Sequence, residues 1–192
     1  MSAKREKLIQ TATVLFEKHG IKRVTVEEIC QQAGVSKVTF YKFFKNKLHL
    51  AEFVLTEMLN NAQAEMNRIL DSNTSFQQKI AALIELKMKY IRNFSNEFIQ
   101  ELSSAGIPEL KAILEEKSEE SLRAFLAFLE AGKKKGEIRP TLRTEFILYQ
   151  IQQMNVYFED ENLRKHYLRP QDLIRDMLDF LFYGILNRRD ET

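Results

Sequence analysis

The chain has 192 residues, of which 44% are hydrophobic and 29% are charged, with only six glycines and three prolines. This composition is typical of a folded, helix-rich protein and excludes a disordered or fibrous one. No apolar run approaches the roughly 18 residues that span a bilayer, and the N-terminus lacks the continuous apolar stretch of a secretory signal. The single cysteine, Cys30, excludes an internal disulfide. We therefore expect a cytoplasmic protein that does not enter the membrane.

The net charge of +2 is distributed unevenly along the chain. Residues 1–50 contain ten Lys or Arg against four Glu, a local charge of +6, whereas the remainder carries 19 basic and 23 acidic residues. A basic first quarter followed by a mildly acidic remainder favours a polyanionic partner for that quarter alone.

Apolar spacing and cap residues predict nine helices and no strand, and hence an all-α fold. The first helix ends at Gly20, and Thr25 with Glu28 forms a capping box that begins the second. Ser36 caps the third helix and Asn46 the fourth. The predicted helices cover about residues 2–19, 26–33, 37–44, 47–70, 76–94, 97–104, 108–134, 144–159 and 170–187.

The second and third helices are short and are joined by the turn Ala33-Gly-Val-Ser36. Helices of about eight residues are marginally stable alone, so these two must pack against the first. Two short helices joined by a tight, glycine-containing turn predict a helix-turn-helix, whose second helix enters the major groove of DNA. The expected shared core consists of Leu8, Ala12, Leu15, Phe16, Ile29, Ala33, Val35, Phe40 and Phe44.

The stretch from Thr25 to Leu50 resembles the DNA-binding domain of TetR-family transcriptional regulators. The resemblance is carried, in order and spacing, by the Ala33-Gly-Val-Ser36 turn, Thr39, the Phe40-Tyr41 pair, Phe44 and Lys47. It implies a helix-turn-helix DNA-binding domain over residues 1–46 and a larger helical domain for effector binding and dimerisation over residues 47–192. The remainder of the chain resembles the family only in the number and lengths of its helices.

The resemblance implies that Thr25, Tyr41 and Lys47 contact phosphates, and that outward residues of the third helix face base edges or nearby backbone. Hydroxyl and ammonium groups at helix N-termini suit phosphate independently, because exposed amides and the helix dipole favour anions there. Packing remains the alternative for Tyr41 and Phe43. Val38 stands where the family often has a small or polar residue, which permits an apolar contact such as a thymine methyl. The predicted DNA-binding residues are Thr25, Ser36, Lys37, Val38, Thr39, Tyr41, Lys42, Phe43 and Lys47.

The last two predicted helices are apolar around much of their circumference, and such helices must be covered on more than one side. The resemblance implies that they form a four-helix interface between two copies of the chain. A two-fold dimer fits a palindromic operator with half-sites about 34–36 Å apart. The predicted interface residues are Phe146, Ile147, Ile151, Met154, Leu173, Ile174, Met177, Leu178, Leu181, Gly184 and Ile185.

The central helices carry methionine and aromatic residues at helical spacing, and an ordinary core explains most of them. The alternative, implied by the resemblance, is a cavity for a small-molecule effector of apolar or aromatic character. The function implied is then a repressor that this effector releases from its operator. The predicted ligand-binding residues are Met88, Tyr90, Ile91, Phe94, Phe98, Phe125, Phe128, Leu129, Tyr149, Gln150 and Gln153.

Two other classes of function compete with this interpretation. The sequence contains no nucleophile elbow, P-loop, dinucleotide-binding glycines or metal-spaced His and Cys, so we expect no enzyme, cofactor or metal. Glu97 and Glu101 share one helix face as a catalytic carboxylate pair would, but solvated carboxylates explain them equally well. The second alternative is a helical dimer that acts as a protein-binding or non-specific nucleic-acid-binding module.

Cys30 is expected on the buried side of its helix, as core filler or, alternatively, as a redox sensor.

Overall fold

The computed structural model describes residues 2–92, 94–102 and 106–185, without the side chains of Ile91, Ile151, Gln152, Met154, Asn155, Phe158, Glu159, Pro170 and Gln171. Within these ranges all ten elements are helices, which confirms the all-α prediction. They are α1 (Ala3–His19), α2 (Val26–Ala33), α3 (Lys37–Phe43), α4 (Lys47–Leu70), α5 (Phe76–Ile91), α6 (Asn96–Leu102), α7 (Pro108–Lys134), α8 (Thr144–Glu159), α9 (Glu161–Arg164) and α10 (Pro170–Ile185).

The structure corrects the predicted helices at two places. Helix α5 ends at Ile91 and not near residue 94, because Ser95 leaves the helix to cap α6, accepting a hydrogen bond from the Phe98 amide at 3.1 Å. The single turn α9 was not predicted; it begins where the Asp160 side chain accepts from the Asn162 amide at 2.8 Å. The predicted ends near residues 104 and 187 lie outside the described residues.

The capping box predicted for α2 is half formed. The Thr25 side chain accepts from the Glu28 amide, as expected. The return bond from the Thr25 amide to the Glu28 carboxylate is not among the hydrogen bonds of the described residues. A complete capping box forms at α5, between Ser75 and Gln78, and the sequence analysis did not predict it.

The chain divides into two compact units, and the first consists of Met1–Ala64 and Asn93–Glu120. The expected core of the first three helices is confirmed, since all nine of its residues are buried. Leu50 and Val54 of α4 extend this core, together with Phe98 of α6 and Leu110 of α7. Helices α1 to α3, called the head below, are therefore packed on α4, α6 and α7 within one unit.

The second unit consists of Glu65–Arg92 and Ser121–Thr192. In it α10 packs against α5 and α8, and the Arg139 amide donates to the Ile185 carbonyl at 3.2 Å. The predicted domain boundary at residue 46 does not coincide with the boundary between the units, and as a functional division it stays a prediction. No helix in the described part of the chain is long and apolar enough to cross a bilayer.

Candidate nucleic-acid interface

The helix-turn-helix segment is held by side-chain caps at the start of both its helices. Thr25 Oγ1 accepts from the Glu28 amide at 3.1 Å, and Ser36 Oγ accepts from the Thr39 amide at 3.3 Å. Between them Gly34 has φ 65° and ψ 35°, the left-handed conformation that glycine adopts without strain. The predicted turn is therefore confirmed, and it sets the direction of α3 relative to α2.

Helix α3 is anchored through one aromatic residue and exposes the others to different degrees. Phe40 is fully buried, and its ring meets the Tyr41 ring edge-on with centroids 5.2 Å apart. Val38 and Tyr41 are exposed, at 71% and 56%. Phe43 is only half-buried and packs against the core of the first unit, which favours the packing alternative for its ring. The outward face of α3 thus presents Val38, Tyr41 and the exposed Lys42.

Lys37 is predicted to meet DNA, yet its ammonium group is engaged within the head. Its Nζ contacts the Oε1 of Glu27, an exposed carboxylate in the first turn of α2. The hydrogen bond to Lys37 holds the pKa of Glu27 below its usual range, and the same bond raises the pKa of Lys37. Both groups are therefore charged at neutral pH, and the pair places a negative charge beside the predicted interface.

Lys47 occupies a different setting from the other predicted DNA-binding residues. Its Nζ donates to three main-chain carbonyls at the end of the α1–α2 turn: Ile21 at 2.6 Å, Lys22 at 3.0 Å and Val24 at 2.6 Å. An ammonium group has three protons, and these bonds use all of them. Its burial lowers the pKa of Lys47. The phosphate contact of Lys47 stays a prediction and would require some of these bonds to be exchanged.

The expectation that Glu101 is a solvated carboxylate is wrong. It is 8% exposed, and its oxygens accept from the amides of Ile21 at 2.5 Å and Lys22 at 3.1 Å. Glu97, one turn earlier on α6, is exposed as expected. The amides bound by Glu101 lie about 80 residues away in the sequence, so no local pattern could have revealed the contact.

The comparisons agree with the helix-turn-helix geometry. A family model for bacterial regulatory proteins of the tetR family matches residues 8–54, which include most of α1, all of α2 and α3, and the start of α4. The helix-turn-helix of this chain is therefore of the tetR-family type. The chain is a DNA-binding transcriptional regulator, which confirms the main functional prediction.

The similarity to known proteins extends beyond the head and along most of the chain. The HTH-type transcriptional repressor KstR2 of Mycolicibacterium smegmatis is 25% identical over 150 residues, 76% of this chain and 73% of that protein. The uncharacterized HTH-type transcriptional regulator YhgD of Bacillus subtilis is 27% identical over 143 residues, 73% of this chain and 75% of that protein. The structure of a transcriptional regulator from Saccharomonospora viridis in complex with choline has a TM-score of 0.77 and 17% identity, covering 98% of this chain and all of that one.

The predicted dimer residues of this regulator range from exposed to buried. Phe146 and Gly184 are exposed, and Ile174, Met177, Leu178 and Leu181 are half-buried. Ile147, Leu173 and Ile185 are buried inside the second unit, which favours a core role for these three. The side chains of Ile151 and Met154 lie outside the described residues. Among the described side chains of the same two helices, further exposed apolar residues lie outside the predicted interface set: Tyr149, Val156, Tyr157, Phe180 and Tyr183.

The predicted ligand-binding residues are not gathered around one space. Phe94 and Phe98 belong to the first unit, where their rings meet edge-on with centroids 4.9 Å apart. The others lie in the second unit: Met88 and Leu129 are buried, Tyr90, Phe125, Phe128, Gln150 and Gln153 are half-buried, Tyr149 is exposed, and the Ile91 side chain is not described. Core packing is therefore the better account of Met88, Phe98 and Leu129.

A cavity of about 400 Å³ lies in the second unit, where the end of α4, the start of α5 and the end of α7 meet. Its lining includes the rings of Phe76 and Phe128, which are stacked with centroids 4.5 Å apart and planes 10° from parallel. Polar groups of Asp71, Lys79 and Glu137 also line it. Of the predicted ligand-binding residues whose side chains are described, Phe128 alone belongs to this lining.

Cys30 is buried on the inner side of α2, as expected. Burial raises the pKa of its thiol, so the reactive thiolate is disfavoured at neutral pH. Both observations favour core filler over a redox sensor.

Proposed function

We propose that the protein is a cytoplasmic homodimeric repressor that binds a palindromic operator through its two heads and is released by a small-molecule effector. The observation that carries this proposal is the outward face of α3. Val38, Tyr41 and Lys42 are exposed side by side on a helix whose inner residue, Phe40, is fully buried. A rigid helix with an apolar group, a phenol and a cation on one face suits base edges and phosphates together.

Two kinds of contact are proposed for the head. Thr25, Ser36, Tyr41 and Lys42 contact phosphates, and Lys37, Val38, Thr39 and Phe43 face base edges or nearby backbone. Lys47 holds the α1–α2 turn through its three carbonyl bonds and leaves phosphate to the other residues. If a dimer neutralises six to ten phosphates, affinity falls by about 10³–10⁵ between 50 and 200 mM salt. An affinity that does not respond to salt would contradict this mode of binding.

The proposed dimer forms through α8 and α10. Phe180 is 85% exposed, and Tyr149, Val156 and Tyr183 are also exposed on these helices. A monomer that leaves large apolar residues of two helices in water gains by covering them with a second copy. Sedimentation velocity on the wild type and on Phe180→Glu tests this: the wild type should sediment as a dimer and the variant as a monomer. A wild-type monomer at micromolar concentration would refute it.

The proposed effector is a small organic molecule, apolar or aromatic. The cavity of about 400 Å³ has the size of small-molecule sites, and its stacked Phe76 and Phe128 rings offer an aromatic wall. The neighbour from Saccharomonospora viridis holds choline, so a chain of this fold has room for a small molecule. Effector binding weakens DNA binding by favouring a dimer with wrongly spaced heads, with a coupling of about 1–3 kcal/mol.

The alternative is a helical dimer whose head binds protein or nucleic acid without sequence preference. Selection from a randomised duplex library, followed by anisotropy titration of the enriched duplex and a scrambled duplex at one salt concentration, separates the two. Sequence-specific binders prefer their site by about 10³–10⁷. Equal affinity for both duplexes would favour the alternative. Adding aromatic compounds that demonstrably bind the protein should then release the enriched duplex.

A further inference from the structure

The turn between α1 and α2 is held by two side chains of opposite charge. Glu101 of α6 accepts from the amides of Ile21 and Lys22, and Lys47 of α4 donates to the carbonyls of Ile21, Lys22 and Val24. The residues Ile21 and Lys22 therefore have both their main-chain donors and their main-chain acceptors bound to charged groups. We call Glu101, Lys47 and this turn the turn clamp; all of it lies within the first unit.

The position of the Glu101 carboxylate is built into the turn. A buried carboxylate is costly unless hydrogen bonds replace its water, and here each oxygen receives a main-chain N–H. Gly20 makes room for it, since a Cβ at this residue would lie 2.9 Å from Glu101 Oε1. Gly20 also has φ 77°, which other residues rarely adopt. The glycine and the carboxylate thus fit each other in shape.

The clamp acts at the entrance to the helix-turn-helix. Lys47 binds the carbonyl of Val24, and Val24 directly precedes Thr25, the N-cap residue of α2. Further contacts join α6 to the head: the Ser95 amide donates to the Glu17 carbonyl at 2.7 Å, and Phe98 belongs to the head's core. The start of α2 is therefore fixed to α6 by charged hydrogen bonds as well as by apolar packing.

We propose that Glu101 is a positioning residue for operator binding: through the amides of Ile21 and Lys22 it fixes the helix-turn-helix on α6. It does not touch DNA in this role. The proposal rests on the function of the head as a sequence-specific DNA binder. It adds that Glu101 is the residue that holds the head at a fixed position on α6. Without Glu101 the turn keeps its apolar packing and the Lys47 bonds but loses its charged hydrogen bonds to α6. The two recognition helices of a dimer are then less well aligned with their half-sites.

The test compares Glu101→Gln with Glu97→Gln, a matched control on the same helix with an exposed side chain. Glutamine keeps the shape but has one acceptor oxygen and presents an NH₂ group to the other amide. Both variants are titrated, as full-length protein, with the duplex enriched from a randomised library and with a scrambled duplex, at a temperature where circular dichroism shows each fully folded. We expect Glu101→Gln to lose about ten- to a hundredfold in affinity for the enriched duplex, because each of the two heads in a dimer loses one charge-assisted hydrogen bond.

Two further readouts separate positioning from other roles. Removal of a negative charge alone would strengthen binding to any DNA, and general destabilisation would weaken both duplexes equally. Positioning predicts that Glu101→Gln weakens only the enriched duplex and leaves the slope of log K against log salt unchanged. Gly20→Ala, whose methyl group would displace the carboxylate, should cause a similar loss that is not additive with Glu101→Gln.

Equal affinity of Glu101→Gln and Glu97→Gln for the enriched duplex would overturn the proposal, as would an equal loss on both duplexes. A wild-type protein that shows no preference for the enriched duplex would be a different failure, because it contradicts sequence-specific binding itself.

Discussion

The ion pair between Glu27 and Lys37 should limit how strongly the head attracts DNA, and Glu27→Gln tests this. Lys37 is the first residue of α3 and its ammonium contacts the Glu27 carboxylate. Both side chains are more than half exposed, at 52% for Lys37 and 62% for Glu27, so the pair contributes little to stability. We therefore expect the variant to melt close to the wild type while its Lys37 becomes available to phosphate.

The magnitude follows from the number of phosphates gained. One freed ammonium in each head adds two phosphate contacts to a dimer, and each contact steepens the slope of log K against log salt by about 0.9. A steepening of about 1.8 means that the variant loses roughly 12-fold more affinity than the wild type between 50 and 200 mM salt. At the lower salt concentration it should bind more tightly than the wild type.

Fluorescence anisotropy with a labelled, library-enriched duplex over a salt series measures both quantities. Glu28→Gln is the matched control, since it removes the same charge from the same helical turn without touching the Glu27 and Lys37 pair. The reasoning is refuted if Glu27→Gln and Glu28→Gln show the same slope. It is also refuted if Glu27→Gln weakens binding at low salt.

Three further predictions concern single residues. Lys47→Gln should lower the free energy of unfolding by about 1 kcal/mol, after allowing for the partial exposure of the side chain, as measured by urea denaturation. The same variant should leave the slope of log K against log salt for DNA binding unchanged. A slope about 1.8 shallower for the dimer would instead show that Lys47 contacts phosphate. Burial, and then the hydrogen bond to Glu65, raises the pKa of Tyr90 to about 12, so the stabilisation of its neutral phenol is complete below pH about 10 and is lost as the pH rises through 12. The tyrosinate absorbance of Tyr90→Phe should therefore differ from that of the wild type near pH 12 and not near pH 10. Ser36→Ala should destabilise the protein by about 1 kcal/mol, because α3 loses its N-cap. Ser36→Asp should keep the cap but weaken DNA binding, because it places a negative charge beside the proposed phosphate contact. DNA binding by Ser36→Asp at wild-type strength would show that this residue lies away from the phosphates.

The elements of the head were predictable because their determinants are local. The threonine and serine caps, the glycine turn and the apolar spacing of Leu8, Phe16 and Phe40 each act within a few residues of sequence. The helix starts at Val26 and Lys37 follow from these caps alone. The nine core residues of the head were predictable for the same reason, since one apolar face of each short helix has to meet the others.

The contacts of the charged residues were not predictable because they depend on distant partners. Glu97 and Glu101 look alike in sequence, four residues apart on one helix, yet only Glu101 meets the α1–α2 turn. Lys47 and Lys42 are likewise equivalent as charges, but Lys47 faces three carbonyls and Lys42 faces solvent. Which lysine is free for DNA is settled by packing between elements, which periodicity does not encode.

The composition of the head therefore overstates the charge it offers to DNA. Residues 1–50 carry a net +6, but Lys47 is bound to carbonyls and Lys37 is bound to Glu27. Lys42 and Lys45, on α3 and just after it, are exposed. If only these groups act, steering by charge is modest, and discrimination between sites depends on the fit of Val38 and Tyr41 into the groove. A fit of this kind requires the helix to be held at a fixed angle, which is the role that the caps of α2 and α3 and the turn clamp can fill.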